Sequence, residues 1–187
     1  MKKYDVLDIG IIVADIPVKL PCESLDFCSD TFRVEKEAGI TVSADVGHDN
    51  YSTGFAGVIN LLRYVDFFMP SYVEAKYITG EAEPAKMAEC IVRHTGEKTV
   101  IIKLGAQGCY VHEGAAGYTV PAFPVNIVDT TGAGDNFVAG FIGAYLGGGS
   151  VRECARFACA AAAVSTQYLG ATSACVTLPR IRQLLQA

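Results

Sequence analysis

Residues 129–141 read DTTGAGDNFVAGF, a run rich in small residues that holds two carboxylates and lies between the apolar stretch Val125–Val128 and a helical pattern. It looks like the turn at which a strand becomes a helix, which points to an α/β fold. Gly132, Ala133 and Gly134 carry little or no side chain, so a bulky oxyanion can approach the backbone there. The first N–H groups of a helix have no intrahelical partner, and the macrodipole adds partial positive charge at the same end. On this reading the turn is an anion cradle. Asp135 then acts as a general base, taking the proton of an incoming hydroxyl whose oxygen attacks a phosphoryl group held by the cradle. Asp129, at the strand end, is left to hold a metal ion or its water shell. A plainer alternative stands beside it: Asp129 or Thr130 caps the helix and the glycines serve only packing.

The rest of the chain alternates strand and helix patterns. Tyr4–Val13, Ile40–Val46, the end of the run Leu61–Met69 and Lys98–Leu104 are apolar and rich in β-branched and aromatic residues, which predicts buried strands. A Gly105–Gly108 turn joins the last of these to a partner strand, CYVHE. Ser71 with Glu74 three residues on is a capping-box signature, and Pro84–His94 reads as an amphipathic helix. Helices over 134–147, 150–168 and 178–186 complete the pattern. Such alternation predicts one α/β domain over residues 1–187 with a mostly parallel sheet covered by helices on both faces. Ligands bind beyond the carboxyl ends of strands in such sheets, where Asp15, Asp45, Gly105 and Asp129 are expected.

Composition narrows the function. A formal net charge of -5 and the lack of any Lys/Arg run argue against nucleic acid or an anionic membrane as partner. The N-terminal apolar run, broken by Asp5, Asp8 and Asp15, reads as a core strand and not a signal peptide. A cytoplasmic protein is expected. The seven cysteines form no C-x-x-C pair, which favours free thiols over a disulfide framework. The scattered His48, His94 and His112 fit no nucleophile motif.

Two better-known phosphate motifs fail. Phe137 occupies the third glycine position of G-x-G-x-x-G, and no Gly-Lys-Ser/Thr is present for a Walker A loop. The whole string instead resembles the C-terminal signature of the PfkB, or ribokinase-like, carbohydrate kinases. VIIKLGAQGCYV (100–111) resembles that family's nucleotide-contacting strand and turn, and FFMPSYVEAKYITG (67–80) its magnesium-associated region. GIIVADIP (10–17) resembles its first strand, and FACAAAAVSTQYLGA (157–171) the helix and loop beside the adenine.

The resemblance implies a three-layer α/β/α fold and transfer of the γ-phosphate of ATP, with Mg2+, to a sugar or nucleoside hydroxyl. It makes Asp135 the catalytic base, also touching substrate, and Gly132, Ala133 and Gly134 the anion hole. It sets Lys103, Gly105, Gly108, Thr131 and Cys159 along the nucleotide, Asp15 on the acceptor, and Glu74 and Asp129 on the metal side. Asp129 and Thr131, with Ser165 and Gly170, fall where some members bind a monovalent cation such as K+. A homodimer is compatible with it.

The sequence departs from the family at Ser71 and Cys159, where Asn is usual. The larger departure lies between Glu35 and Lys36: residues 1–35 resemble the N-terminal strand region and 36–187 the C-terminal nucleotide-binding part. The Gly-Gly-x-x-x-N substrate motif, the lid strands and a block of the central sheet have no counterpart. Either the chain is internally deleted there or a segment between the two residues is missing, and a Cα separation well beyond about 3.8 Å would decide for the second. A real deletion favours a non-catalytic nucleotide-binding fragment over a kinase.

Overall fold

The structure, a computed structural model, describes residues 6–8, 36, 37, 39, 41–46, 60–171 and 176–186. Asp15, His48 and the Glu35–Lys36 junction lie outside the described residues. The strands are β1 (Val6–Asp8), β2 (Thr41–Ala44), β3 (Phe67–Phe68), β4 (Thr99–Lys103), β5 (Cys109–Glu113) and β6 (Ala116–Val120). The helices are α1 (Tyr72–Thr79), α2 (Pro84–Thr95), α3 (Ala133–Leu146), α4 (Val151–Ser165) and α5 (Leu178–Gln186), with a 3-10 turn at Gly105–Gln107. The strands follow one another in chain order across one sheet. β1 to β4 pair in parallel, with Ser43 opposite Phe67 and Phe67 opposite Thr99. The links on either side of β5 are far shorter than the roughly dozen residues a parallel crossover needs, so β4, β5 and β6 run antiparallel.

The chain forms two compact units, residues 1–102 with 112–117 and residues 103–111 with 118–187. In the first, Val100, Ile101 and Ile102 of β4 are all buried, an unbroken apolar run of the kind a strand covered on both faces requires. Met87, Ala88, Ile91 and Thr95 bury one face of α2, whose Pro84 sits where a missing N–H is harmless. The capping box expected at α1 is formed: the Ser71 N–H donates to Glu74 Oε2 at 2.6 Å and the Glu74 N–H to Ser71 Oγ at 3.3 Å.

Lys98 is buried in this unit, and its ammonium donates to the carbonyls of Leu62 and Val65. Burial pushes its pKa down to about 8, against the opposing pull of Asp66 and with help from Lys36. Between about 8 and the ordinary 10.5 the unfolded chain binds more protons than the folded one, so stability rises with pH across that window. Lys98→Met is therefore expected to cost about 1–3 kcal/mol at pH 7 by orphaning the two carbonyls. Urea unfolding at pH 7 and pH 10 checks it: the gap between wild type and variant should widen at the higher pH, and a constant gap contradicts a depressed amine.

In the second unit α3 and α4 approach closely. A Cβ on Gly140 would stand 2.8 Å from the Ala161 Cβ, so the small face of α4 meets a glycine. Ile181 of α5 packs on Ala160, Ala161 and Val164. α4 begins with a second capping box, Ser150 with Glu153, whose S-x-x-E signature stands in the sequence.

Several expectations need correction. Val125–Val128 forms no strand: residues 121–128 are irregular, and the Val128 and Asp129 N–H groups both donate to the Thr166 carbonyl. Asp129 thus follows a loop fastened to the end of α4. Within Leu61–Met69 only Phe67–Phe68 is strand, and residues 60–62 are helical. β6 is an element the sequence pattern did not announce. Among the described residues no helix is long and apolar enough to cross a membrane, and Cys90, Cys109, Cys154 and Cys159 are free thiols.

Candidate functional site

The site belongs to the second unit and is built around the start of α3. Its N-cap is Gly132, at φ 74°, and no side chain caps the helix. A Cβ there would stand 2.6 Å from the Ala171 Cβ and 2.8 Å from its Cα, so both conformation and space call for glycine. Asn136 fixes the turn, its side-chain amide donating to the Gly132 carbonyl at 2.8 Å and the Ala171 carbonyl at 3.4 Å. The Ala133 N–H returns to the Thr130 carbonyl at 3.1 Å. Among the described residues none accepts from the N–H groups of Gly134 and Asp135. The Lys103 Nζ lies 3.5 Å from where a Gly134 Cβ would be. An ammonium, two open N–H donors and the positive end of a helix dipole therefore converge, and together they attract an anion.

These groups open onto a cavity of about 190 Å³. Lys103, Gly105, Gly108, Thr130, Ala133 and Gly134 line it together with the apolar side chains of Phe123, Val125, Phe137, Cys159 and Ala162. Gly108 shapes it from beneath: a Cβ there would fall 2.0 Å from the Val120 carbonyl oxygen. The arrangement suits a flat apolar group joined to an anionic one.

Asp129 stands beside the cavity as a clamp. Its Oδ1 accepts from the Thr131 N–H at 2.9 Å and the Thr131 hydroxyl at 2.7 Å, and its Oδ2 from the Gly170 N–H at 2.9 Å. Those bonds, the Thr131 N–H first and then the Gly170 N–H, hold its pKa below the ordinary 3.8. A depressed carboxylate contributes its stabilisation above the unfolded pKa and loses it as pH falls through the folded one. The tie between residues 129–131 and Gly170 is thus intact above about pH 3.8 and released below the folded value. Asp129→Asn, which replaces one acceptor oxygen by a donor, is expected to speed hydrogen exchange at the Thr131 and Gly170 amides at neutral pH; unchanged exchange at both would contradict the clamp.

The structure thus brings Lys103, Gly105, Gly108, Ala133, Gly134 and Cys159 to one cavity, with Gly132 at the adjoining cap. Asp135 is the third residue of α3 and exposed, outside the cavity lining. Thr131 is the partner of Asp129 and also outside the lining. Ser165 donates its hydroxyl to the Ala162 carbonyl at 2.7 Å. Glu74 lies in the first unit, in the α1 capping box. Sequence reasoning missed Asn136, Phe123 and Thr166. Asn136 stood inside the quoted motif, and Phe123 is marked only by its flanking Pro121 and Pro124.

The Asp129 carboxylate of the second unit has the chemistry to receive a magnesium ion that arrives with its own ligands, and so, separately, has Glu74 of the first. A carboxylate offers about four lone-pair sites; Asp129 uses three of them, and Glu74 Oε2 takes the Ser71 N–H. Each keeps acceptor capacity for a water of a hydrated ion, which is how magnesium bound to phosphates is commonly held. Among the described residues no group of three or more His, Cys, Asp or Glu could form a cage.

The sequence matches the pfkB family of carbohydrate kinases over residues 24–178. An uncharacterized sugar kinase of Archaeoglobus fulgidus is 30% identical over 170 residues, covering 91% of this chain and 64% of the relative. Ribokinase of Haemophilus influenzae is 35% identical over 130 residues, covering 67% and 42%. The solved structure of Arabidopsis thaliana ribokinase complexed with ribose and ATP superposes with a TM-score of 0.76 at 30% identity, covering 87% of this chain and 53% of that one. The chain therefore spans between 42% and 64% of the length of these relatives.

Proposed function

The chain belongs to the pfkB family of carbohydrate kinases and has the ribokinase-like α/β fold, and from this premise we infer that it transfers the γ-phosphoryl group of ATP to a hydroxyl of a sugar. The observation that carries the reading is the open start of α3, where unpartnered N–H groups meet the Lys103 ammonium at the mouth of an apolar cavity. The cavity is smaller than the roughly 300–1,000 Å³ typical for a drug-sized ligand. It suits the adenine end of ATP, with the phosphates extending along Lys103, Gly105 and Thr131 to the Gly132–Gly134 turn.

Asp135 is the general base. Its carboxylate takes the acceptor's hydroxyl proton as the alkoxide oxygen bonds to the γ-phosphorus, the bond from that phosphorus to the bridging oxygen breaks, and ADP leaves. The open N–H groups of the turn face the charge that develops on the transferred group. Asp129 would hold a magnesium ion through water, and the ion would supply neutralisation of phosphate charge when bound; Glu74 is a magnesium-side carboxylate by the family resemblance. Asp15 binds the acceptor in this reading, as the family resemblance implies. The relative complexed with ribose and ATP supports both halves of the substrate pair.

The test is coupled ADP release with the purified chain, ATP and magnesium over a panel of sugars and nucleosides. Turnover on a sugar is expected. Turnover on nucleosides alone would assign the chain to the nucleoside kinases of the family, and ATP binding without turnover on any acceptor would make it a non-catalytic nucleotide-binding protein.

A further inference from the structure

Two sulfurs in the second unit have no part in the phosphoryl chemistry. Cys109, the first residue of β5, is fully buried, and Cys159, in the middle of α4, is 4% exposed. The Cys159 thiol donates to the Cys109 sulfur across 3.8 Å. Both are reduced, and a bond would need the sulfurs to close to about 2.05 Å. Cys159 also lines the cavity, as does Gly108 next to Cys109, among the small side chains of Ala162 and Ala163. Among the described residues no other cysteine has this setting: Cys90 meets His94, and Cys154 donates to the Gly149 carbonyl.

We propose that Cys109 and Cys159 are a modification site, a dithiol that a small hydroperoxide entering the cavity converts to a disulfide. Cys159, on the cavity wall, is the first to react. Cys159 gives up its proton as its sulfur attacks the distal peroxide oxygen, the O–O bond breaks, the proton ends on the departing oxygen, and sulfenic acid forms with loss of water or an alcohol. Cys109 then attacks the Cys159 sulfur, the S–S bond forms, and water leaves with the Cys109 proton. Two electrons pass from the thiols to the peroxide. The neighbouring Cys159 thiol, and then burial, hold the Cys109 thiol far above its ordinary range, so Cys109 stays protonated while Cys159 reacts first. Cys109, its sulfur 3.8 Å from that of Cys159, is placed to act as the resolving thiol.

The experiment uses the full chain and hydrogen peroxide, followed by alkylation, non-reducing digestion and mass spectrometry. A peptide crosslinked between Cys109 and Cys159 is expected, with its loss on reduction. Cys109→Ser should accumulate sulfenic acid on Cys159, and Cys159→Ser should leave Cys109 unoxidised. Crosslinks of either residue to other cysteines instead, over-oxidation of Cys159 without a crosslink, or oxidation of Cys109 in the Cys159→Ser protein would each overturn the proposal. The wild-type readout does not depend on either variant folding. One further arm rests on the ATP reading: at ten times its Kd, ATP should slow crosslinking about tenfold by occupying the cavity. A crosslink that forms at the same rate with ATP supports the dithiol site and counts against the nucleotide assignment.

Discussion

Asp135→Asn is expected to lower phosphotransfer by about 10²–10⁴-fold, the usual worth of a positioned general base. The amide keeps the size of the side chain and loses the ability to take a proton at neutral pH. Asp135 lies at the third position of α3 with its side chain exposed, so little packing depends on it and the fold should survive. ATP affinity should hold or rise, because the change removes a negative charge beside the turn proposed to hold phosphate. Single-turnover assays and nucleotide titration separate the two effects. A variant that keeps turnover within tenfold of wild type would remove Asp135 from the chemistry, and one that lost ATP binding as well would make it a binding group.

Gly108→Ala should give the largest loss of stability. The residue sits at φ 94° and ψ -126°, a region open in practice only to glycine and worth about 1–3 kcal/mol of strain to any other residue. The added Cβ would also fall 2.0 Å from the Val120 oxygen, 2.6 Å from the Ala122 nitrogen and 2.7 Å from the Pro121 carbonyl carbon. All three are backbone atoms, so no side chain can swing aside, and overpacking adds about 1–3 kcal/mol. The sum, roughly 2–6 kcal/mol, lowers Tm by about 5–20 °C for a chain of this size. Gly114→Ala is the control, since φ there is 57° with nothing within 4 Å, and conformational strain alone costs about 1–2 kcal/mol. Equal losses in the two variants would mean that the β6 backbone yields and that Gly108 does not set the cavity floor.

Much of this was legible because the signals were local. The Ser71–Glu74 box, Pro84 at a helix start and the β-branched run of β4 each act within a few residues. The small residues at 132–134 likewise announce a helix start that an anion can approach. What misled was an apolar run without its tertiary partner. Val125–Val128 has the composition of a buried strand, yet Ile127 and Val128 are 59% and 62% exposed and the segment is held by the Thr166 carbonyl. β6 escaped notice for the opposite reason: of its residues only Val120 is buried, so no alternation marks it. The contact of Asp129 with Gly170 spans 41 residues, and no local pattern encodes it. The sequence therefore offered Asp129 as a metal-side carboxylate without its first duty, tying two loops together at the mouth of the cavity.

The start of α3 and Lys103 are expected together to hold the phosphates of a nucleotide whose base enters the apolar cavity. Calorimetric titration of ATP and of adenosine, on wild type and on Lys103→Met, tests it most directly. A hydrogen bond to a charged group is worth about 1.5–3 kcal/mol, or roughly 10–150-fold in Kd. The prediction is that ATP binds more tightly than adenosine to wild type, and that Lys103→Met weakens ATP by such a factor while adenosine binding stays unchanged. Equal affinity for ATP and adenosine, or equal weakening of both in the variant, would mean that this turn and Lys103 do not hold the phosphates.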